Sequence, residues 1–552
     1  VRITYDRKKT IKHEHMKKIF KYIGLPVLAA GLLWSCENLD VPITTQLTPD
    51  VFPQNSSQYI QTAGPVYAAF RGEFSFAWWW AQSLSTDESI MPARGGNWFD
   101  NRNYIAMHYH DWTADNGIIG SLWDWTSKVI GTSNQAISIL DKAMPEGSEK
   151  ATMISELKTM RAISYYMMMD SYGNVPLDTV YGDFTSHPKS DRKVVFNFIE
   201  RELKKALPNL SAASGVTTYG RPNKQTANAL LAKLYLNAEV YTGTQRYNDC
   251  IAACDAVINS GLYAIEPRAS YLQMFYPNNG PQMKEFIFAV PYDPTAVSVG
   301  FNGQMYHARY DVPRSERAKF GIPFTPSAPR STLPEFYAYF NDANDIRNKQ
   351  WLTGLQYMND GVTPVMVTTT KKGYDQFYTG SDGGASYTYQ VNLTPDIVLR
   401  QSVALFDCGN DEIAWNMGYR NIKFYPDATS TSRNQNNDVP FLRYSDVILM
   451  KAEAILRGGN PTLGQTAISL VNMVRSNRST SAAWSAVTLD DLYKERSREF
   501  AQEAWHRNDM IRFGKYEGKW GFKTNTDTYR RIFPIPTNAL VLNTALTQNP
   551  GY

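Results

Sequence analysis

The stretch from Pro222 to Gly261 constrains the fold more than any other. Ala227, Leu230, Leu231, Leu234, Ala238 and Tyr241 recur at the i, i+3, i+4, i+7, i+11 and i+14 spacing of one helical face, and Pro222 suits a first turn. Gly243 breaks the pattern. Tyr247, Cys250, Ile251, Cys254, Val257 and Ile258 repeat it, and Gly261 ends it. Two such helices with small residues at their crossing make a hairpin of about 34–40 residues, the size of a tetratricopeptide unit. No strict repeat is visible elsewhere, so other copies are degenerate. Helical spacing does recur over 122–140, over 154–173 (stopped by Gly173 and Pro176), over 443–459 and over 463–478. A further run, 489–514, opens with Thr488 three residues before Asp491, a capping-box start, and runs to Gly514. The spacing therefore predicts a mainly α chain: a helical scaffold over 66–264 and a closing helical segment over 441–552.

Between them, 265–440 is rich in Gly, Asn, Pro and Tyr. Its strand-like runs are short (285–292 and 363–370), and turn signals crowd 378–387. An irregular half of loops, small strands and short helices is expected there, and long loops on a rigid scaffold commonly carry binding.

The N-terminal region reads differently. Met16, Lys17, Lys18 and Lys21 precede an apolar run from Leu25 to Leu33, followed by Ser35 and Cys36. A basic start, a short apolar stretch and a small residue before the break describe a secretory leader, with Met16 as its expected start. The alternative is a membrane span. Such a span needs about 20 apolar residues, whereas Ile19 to Ser35 offers 17, interrupted by Lys21 and Pro26. Leu33-Trp34-Ser35-Cys36 resembles a bacterial lipobox, although Trp34 departs from the usual small or aliphatic residue. Cys36 is thus the expected lipidation site after removal of 1–35, and several acyl chains hold a protein on a membrane where one does not. The Pro-, Thr- and Gln-rich stretch from there to residue 65 is expected to be a tether.

The leader also sets the charge. The whole chain carries 56 Lys/Arg and 52 Asp/Glu, but residues 1–35 hold eight and two of these, leaving 48 and 50. A mature chain near −2 gives no electrostatic support to nucleic-acid binding. Beyond Cys36 the cysteines are Cys250, Cys254 and Cys408, an odd number that implies no disulfide framework. Cys250 and Cys254 lie on the apolar stripe. They read as core thiols, a metal pair being the alternative without a nearby third ligand.

Several blocks, in order along the chain, resemble the SusD/RagB family of outer-membrane nutrient-binding lipoproteins. They are RAISYYMMMDSYGNVPL early on; RYSDVILMKAEA with Asp446 and Glu453; VNMVRSNR with Asn472 and Arg475; ERSREFAQEAWHRNDMIRFG with Glu495, Arg496, Glu499, Asp509 and Arg512; and the ending PIPTNALVLNTALTQNPGY. Two departures fall within them: Ala504 replaces a usual Gly and His506 a usual Arg. The resemblance implies a scaffold of four tetratricopeptide-like pairs with an irregular second half and no catalytic role. It also implies a lipid-anchored place on the outer membrane at the cell surface, and a TonB-dependent transporter as partner, docked by the helical half. The ligand it implies is an oligo- or polysaccharide, or a peptide in RagB-like branches.

The residues themselves offer little chemistry. No HExxH, GxSxG, P-loop or GxGxxG occurs. His108 and His110 could present two imidazoles on one strand face, but a polar structural role is the simpler reading. Asp87 and Glu88 are adjacent and point apart on regular structure, whereas a glycosidase needs two carboxyls facing across about 5–9 Å. The Asn/Asp cluster at 339–351 reads as capping, with a calcium loop as the alternative. No cofactor and no metal are expected. Two other readings stay open: a glycoside hydrolase, and a protein–protein scaffold.

Aromatic residues make up 13% of the chain, including 34 Tyr and 13 Trp, and flat rings suit the C–H faces of sugars. The strongest binding candidate is 85–104. There Gly95-Gly96 forces a turn that presents Trp98 and Phe99 beside Asp100, Asn101 and Arg102. By position, the resemblance assigns ligand stacking to Trp98 and hydrogen bonding to Asn101. The alternative for Trp98 is a core plug beneath the loop. Asp87 and Arg94 are expected to bond hydroxyls. Tyr306, Arg309 and Phe324 are candidates from the irregular half. Of the run Trp78-Trp79-Trp80, at least one is expected in the core.

Overall fold

A computed structural model describes residues 52–292, 307–370, 386–400, 403–430 and 433–552. The N-terminal scaffold comprises α1 (Ser56–Glu73), α2 (Trp79–Ser83), α3 (Asn103–Tyr109), α4 (Gly117–Ala143), α5 (Ser148–Tyr172), α6 (Arg192–Ala206), α7 (Lys224–Leu236) and α8 (Tyr247–Ile258). In the irregular half the short helices α9 (His307–Asp311) and α10 (Glu412–Asn416) matter here. The closing segment holds α11 (Tyr444–Leu456), α12 (Ala467–Arg475), α13 (Leu489–Glu499) and α14 (His506–Arg512). The described strands include β1 (Phe286–Val290), β2 (Met366–Thr369), β3 (Tyr387–Gln390) and β4 (Val439–Arg443). β1 pairs antiparallel with β4, and β2 with β3. The fold is mainly α.

Helix follows helix in a packed series. α1 lies on α4, α4 on α5, α5 on α6, α6 on α7 and α7 on α8; α8 continues onto α11, and α11 onto α12. The α7/α8 hairpin is the unit that the sequence spacing predicts, and its stripe is buried from Ala227 to Tyr241 and from Tyr247 to Val257, although the first helix breaks at Asn237 and Ala238 and Tyr241 lie on a short helix of their own, Ala238–Thr242. Its start differs. Pro222 lies outside the helix, and Asn223 caps it through a reciprocal box with Thr226. Cys250 and Cys254 are free core thiols. The scaffold also begins earlier than expected: α1 starts at Ser56, capped by Asn55, inside the stretch expected as tether. Cys36 lies outside the described residues. From Gln54 onward the chain forms one unit, and no helix among the described residues is long and apolar enough to cross a membrane.

The blocks that carry the family resemblance meet in space as buried ion pairs. Arg496 bonds Asp446 and Asp509, Arg512 bonds Glu453 and Asp509, and Lys233 of α7 pairs with Asp446. Glu499 accepts from Arg347, Arg443 and Arg478 at 2.9–3.0 Å. Burial works against its charge, but the guanidiniums of Arg478, Arg443 and Arg347 outweigh it and hold its carboxyl well below the ordinary range. Asn549, three residues before Tyr552, donates to Tyr172 O and Phe533 O, so the last block closes on the first.

The run 489–514 is not one helix. It breaks at 500–505, where Gln502 and Ala504 both take φ of 62°, and resumes as α14. Trp78, Trp79 and Trp80 are all buried. His108 and His110 sit on α3 and its C-cap rather than on a strand, and both are buried. Burial pushes the His108 imidazole down to about 3. At 339–351, Asp345 caps the turn that follows and pairs with Arg347. Among the described residues no cluster of His, Cys, Asp and Glu could hold a metal ion.

Candidate functional site

The loop between α2 and α3 is tied to the irregular half along its length. Ile90 bridges to Ser331 and Ala93 to Asp407. The Asp407 carboxylate then accepts from the backbone N–H groups of Gly95 (2.9 Å) and Gly96 (2.7 Å). Gly95 has φ of 64°, and a Cβ there would lie 2.3 Å from Asn410 Cβ, so only glycine fits. The expected turn forms at this pair. Beyond it four non-glycine residues take positive φ: Trp98 (69°), Asp100 (39°), Asn101 (53°) and Arg102 (65°). Such residues are uncommon singly and cluster at ligand sites, where the surroundings hold the strain.

Trp98 is half-buried. Its ring meets the edge of Tyr310 at 5.6 Å between centroids and is tilted to Tyr104 at 6.5 Å. Both tyrosines also pack edgewise on Trp80 of α2. The Arg309 guanidinium stands 5.8 Å from the Trp98 centroid and 5.2 Å from that of Tyr310. α9 therefore brings Arg309 to Trp98. Asn101 is exposed and lines a cleft of about 630 Å³ with Arg102, Asp111, Asp115 and Asn116.

Other candidates fall elsewhere. Arg94 is fully buried, so it cannot bond hydroxyls of an outside ligand; it donates to Ala414 O, Met417 O and Ser331 Oγ. Asp87 is 5% exposed and accepts from His506 Nε2 at 2.6 Å, a structural pair. Burial works against the His506 charge, but Asp87 outweighs it and raises the imidazole above its ordinary value. The family departure at 506 is thus matched by a carboxylate 419 residues away. Neighbouring Glu88 is buried too; desolvation pushes it up to about 7. Phe324 is half-buried, packed against the apolar cluster that includes Val312, Phe320 and Val391, a role in packing. Tyr306 lies outside the described residues.

Beside the loop lies a pocket of about 180 Å³ that the sequence reading missed. Arg314, Glu412, Trp415, Asn416, Val367 and Ala328 line it. The two places are joined through Ala328, whose N–H donates to Arg309 O at 3.0 Å. The Arg314 guanidinium lies 4.0 Å over the Trp415 ring. Tyr389 of β3 donates to Glu412 Oε2 (2.9 Å) and accepts from Asn416 (3.2 Å). The signal was present in DEIAWN (411–416), an Asp cap followed by Trp beside an acid and an amide, the same mixture that marks 97–102.

A helical-hairpin scaffold thus presents aromatic rings, an amide and guanidiniums from the loop between α2 and α3 and from α9. A profile described as "SusD family" matches residues 228–552, and one described as "Starch-binding associating with outer membrane" matches 81–236. The chain belongs to the SusD family. The starch-binding protein SusD of Bacteroides thetaiotaomicron is 22% identical, over 98% of this chain and all of that one. A SusD-like protein of Bacteroides ovatus is 26% identical, over 78% of this chain and 72% of its own length. Among solved structures, a laminarin-binding SusD-like protein has a TM-score of 0.69 at 20% identity, covering 91% of this chain and 100% of that one. Surface glycan-binding protein A of Bacteroides thetaiotaomicron, in complex with laminarihexaose, has 0.67 at 18%, covering 90% and 99%.

Proposed function

We propose that this protein is a cell-surface, non-enzymatic glycan-binding lipoprotein that captures an oligo- or polysaccharide and delivers it to a TonB-dependent outer-membrane transporter. The observation that carries this reading is the Trp98 loop. A half-buried indole is held edge-on by Tyr310 and flanked by Arg309, just beyond a Gly95-Gly96 turn that Asp407 fixes. A rigid flat ring beside amides and a guanidinium suits a sugar's C–H face and its hydroxyls. The starch- and laminarin-binding relatives support the ligand class. Trp98 stacks, Asn101 and Arg309 bond hydroxyls, and acyl chains on Cys36 hold the protein at the outer membrane.

Affinity electrophoresis of the protein through gels holding different polysaccharides tests the reading. Retardation by a glycan is expected, weakened about tenfold or more by Trp98→Ala, because truncating a central aromatic anchor costs well over 1 kcal/mol. If no polysaccharide retards the protein, the glycan reading falls and peptides become the ligands to assay. Mass spectrometry of the membrane-extracted protein checks the anchor, with diacylglyceryl-modified Cys36 as the expected N-terminus.

A further inference from the structure

Two buried guanidiniums lie directly behind the 180 Å³ pocket, and neither makes an ion pair among the described residues. Arg94 and Arg420 are both fully buried. They share Ser331 Oγ and converge on one turn of backbone: Arg94 donates to Ala414 O and Met417 O, Arg420 to Trp415 O (2.8 Å), Met417 O (2.7 Å) and Gly418 O. That turn carries Trp415 and Asn416 into the pocket, and Arg94 Cζ is 6.0 Å from the Trp415 ring centroid. The nearest carboxylates are engaged elsewhere. Asp407 accepts from the N–H groups of Gly95, Gly96 and Gly409, and Asp311 is bonded to Arg330. Burial disfavours the charge on both guanidiniums. Asp407 near Arg94 and Asp311 near Arg420 offset part of that cost without a direct ion pair; a buried cation so placed is still costly, and a further anion nearby relieves it.

The mouth of the pocket adds a third cation. Arg314 is exposed, stacks on Trp415, and has no hydrogen-bond partner among the described residues, so its planar fork is available for bidentate pairing. Arg309 stands at Trp98, on the other side of Ala328. One carboxylate, Glu412, lines the same pocket, and its Oε2 accepts from Tyr389. The pocket, about 180 Å³, is smaller than the roughly 300 Å³ at which sites for whole drug-sized ligands begin. It fits one substituent of a ligand whose chain lies across Trp98.

Resting on the glycan-binding reading above, we propose that the ligand is an anionic glycan whose carboxylate or sulfate ester enters this pocket and pairs with Arg314 over the buried Arg94 and Arg420. Neutral glucans lack a group that could pair with Arg314, the guanidinium that lines the pocket. The pairing forms no covalent bond and needs no cofactor.

Titration calorimetry with four polymers tests this: polygalacturonate, the same polymer with its carboxyls methyl-esterified, a sulfated galactan, and laminarin. Binding to polygalacturonate or the sulfated galactan is expected, at least about tenfold tighter than to the esterified polymer or laminarin. Whichever acidic polymer binds identifies the anion. Arg314→Gln should lose about tenfold toward the acidic polymer. Arg201→Gln, an exposed charge on α6, should leave affinity unchanged, which separates a seated anion from diffuse polyelectrolyte attraction. Laminarin or the esterified polymer binding as tightly as the acidic one would overturn the anionic assignment and leave the glycan reading standing. Equal losses in the two variants would overturn it as well. Binding to none of the four, nor to any polysaccharide in the affinity gels, would overturn both.

Discussion

Arg347, Arg443 and Arg478 converge on the Glu499 carboxylate, whereas Arg94 and Arg420 converge on a serine hydroxyl and the carbonyls of 414–418. Both sets are buried guanidiniums from distant parts of the chain. The first is neutralised within the fold by Glu285, Glu495, Glu499 and Glu503. The second is hydrogen-bonded but left charged, next to a pocket open to solvent. The difference separates two uses of buried charge. Closed networks tie α11, α13, α14 and β4 together and carry the family's sequence blocks. The open cluster leaves two guanidiniums without a direct ion pair behind a pocket lined by Arg314 and Glu412.

The largest expected effect comes from breaking the closed network at its centre. Glu499→Gln keeps the shape and removes the charge, leaving three guanidiniums around a neutral amide. A stability loss of about 3–5 kcal/mol is expected, as for other broken buried pairs, read by urea unfolding. Arg314→Gln, by contrast, should cost no more than about 1 kcal/mol, because it removes an exposed charge whose one contact among the described residues is the stack on Trp415. If Glu499→Gln lost no more than Arg314→Gln, the contrast between the two regions would be broken.

The junction between the regions titrates near neutrality. Glu88 is buried against Gln502 N, with His506, Asp87 and Lys423 as the charged groups around it, and desolvation raises it from 4.5 to about 7. A raised carboxyl contributes stability that is full below about pH 4.5 and is lost as pH rises through about 7. His506, also raised, acts in the same direction. On the acid side Glu495 acts oppositely. Burial disfavours its charge, but Arg347, Arg498 and Arg475 outweigh this and hold it at about 2, so its contribution is lost as pH falls from 4.5 toward 2. Stability should therefore peak between these limbs. Glu88→Gln should flatten the alkaline limb by on the order of 3 kcal/mol between pH 5 and 8. An unchanged alkaline fall in the variant would assign that limb to other groups.

How much of this was legible in the sequence follows from what each signal encodes. Periodicity reports which face of a helix is apolar, so the α7/α8 hairpin was legible from it; the cap at Thr488 was legible from its spacing to Asp491, and of Trp78 to Trp80, where at least one was expected in the core, all three are buried. The Gly95-Gly96 pair marks a backbone demand, and the turn is there. What failed needed distance. Asp87 and Arg94 look like surface polar residues in a binding loop, and nothing local says that their partners are His506 and the 414–418 carbonyls. Trp415 of α10 reaches Arg314, in the turn after α9, only through the tertiary fold, about 100 residues apart in sequence. The break at 500–505 was hidden because Ala504 stands where a glycine would have announced it.

That alanine offers the smallest effect and the cleanest separation of the two regions. The turn at 500–505 is where they meet: Trp79 Nε1 donates to Gln502 O, Glu88 accepts from Gln502 N, and Lys423 reaches the carbonyls of Glu499 and Ala501. Ala504 holds φ of 62° there and is buried. The left-handed conformation costs an L-residue about 1–2 kcal/mol, which glycine avoids, whereas losing one buried methyl costs about 0.8 kcal/mol. Ala504→Gly should therefore stabilise the fold by about 0.5 kcal/mol, visible as a higher urea midpoint with an unchanged slope. The turn carries backbone bonds to the scaffold side of the loop and none to Trp98 or Arg314, so glycan affinity should not move. A gain in stability accompanied by altered affinity would mean that strain at 504 is transmitted to the binding loop, and the two regions would then have to be treated as one mechanical unit.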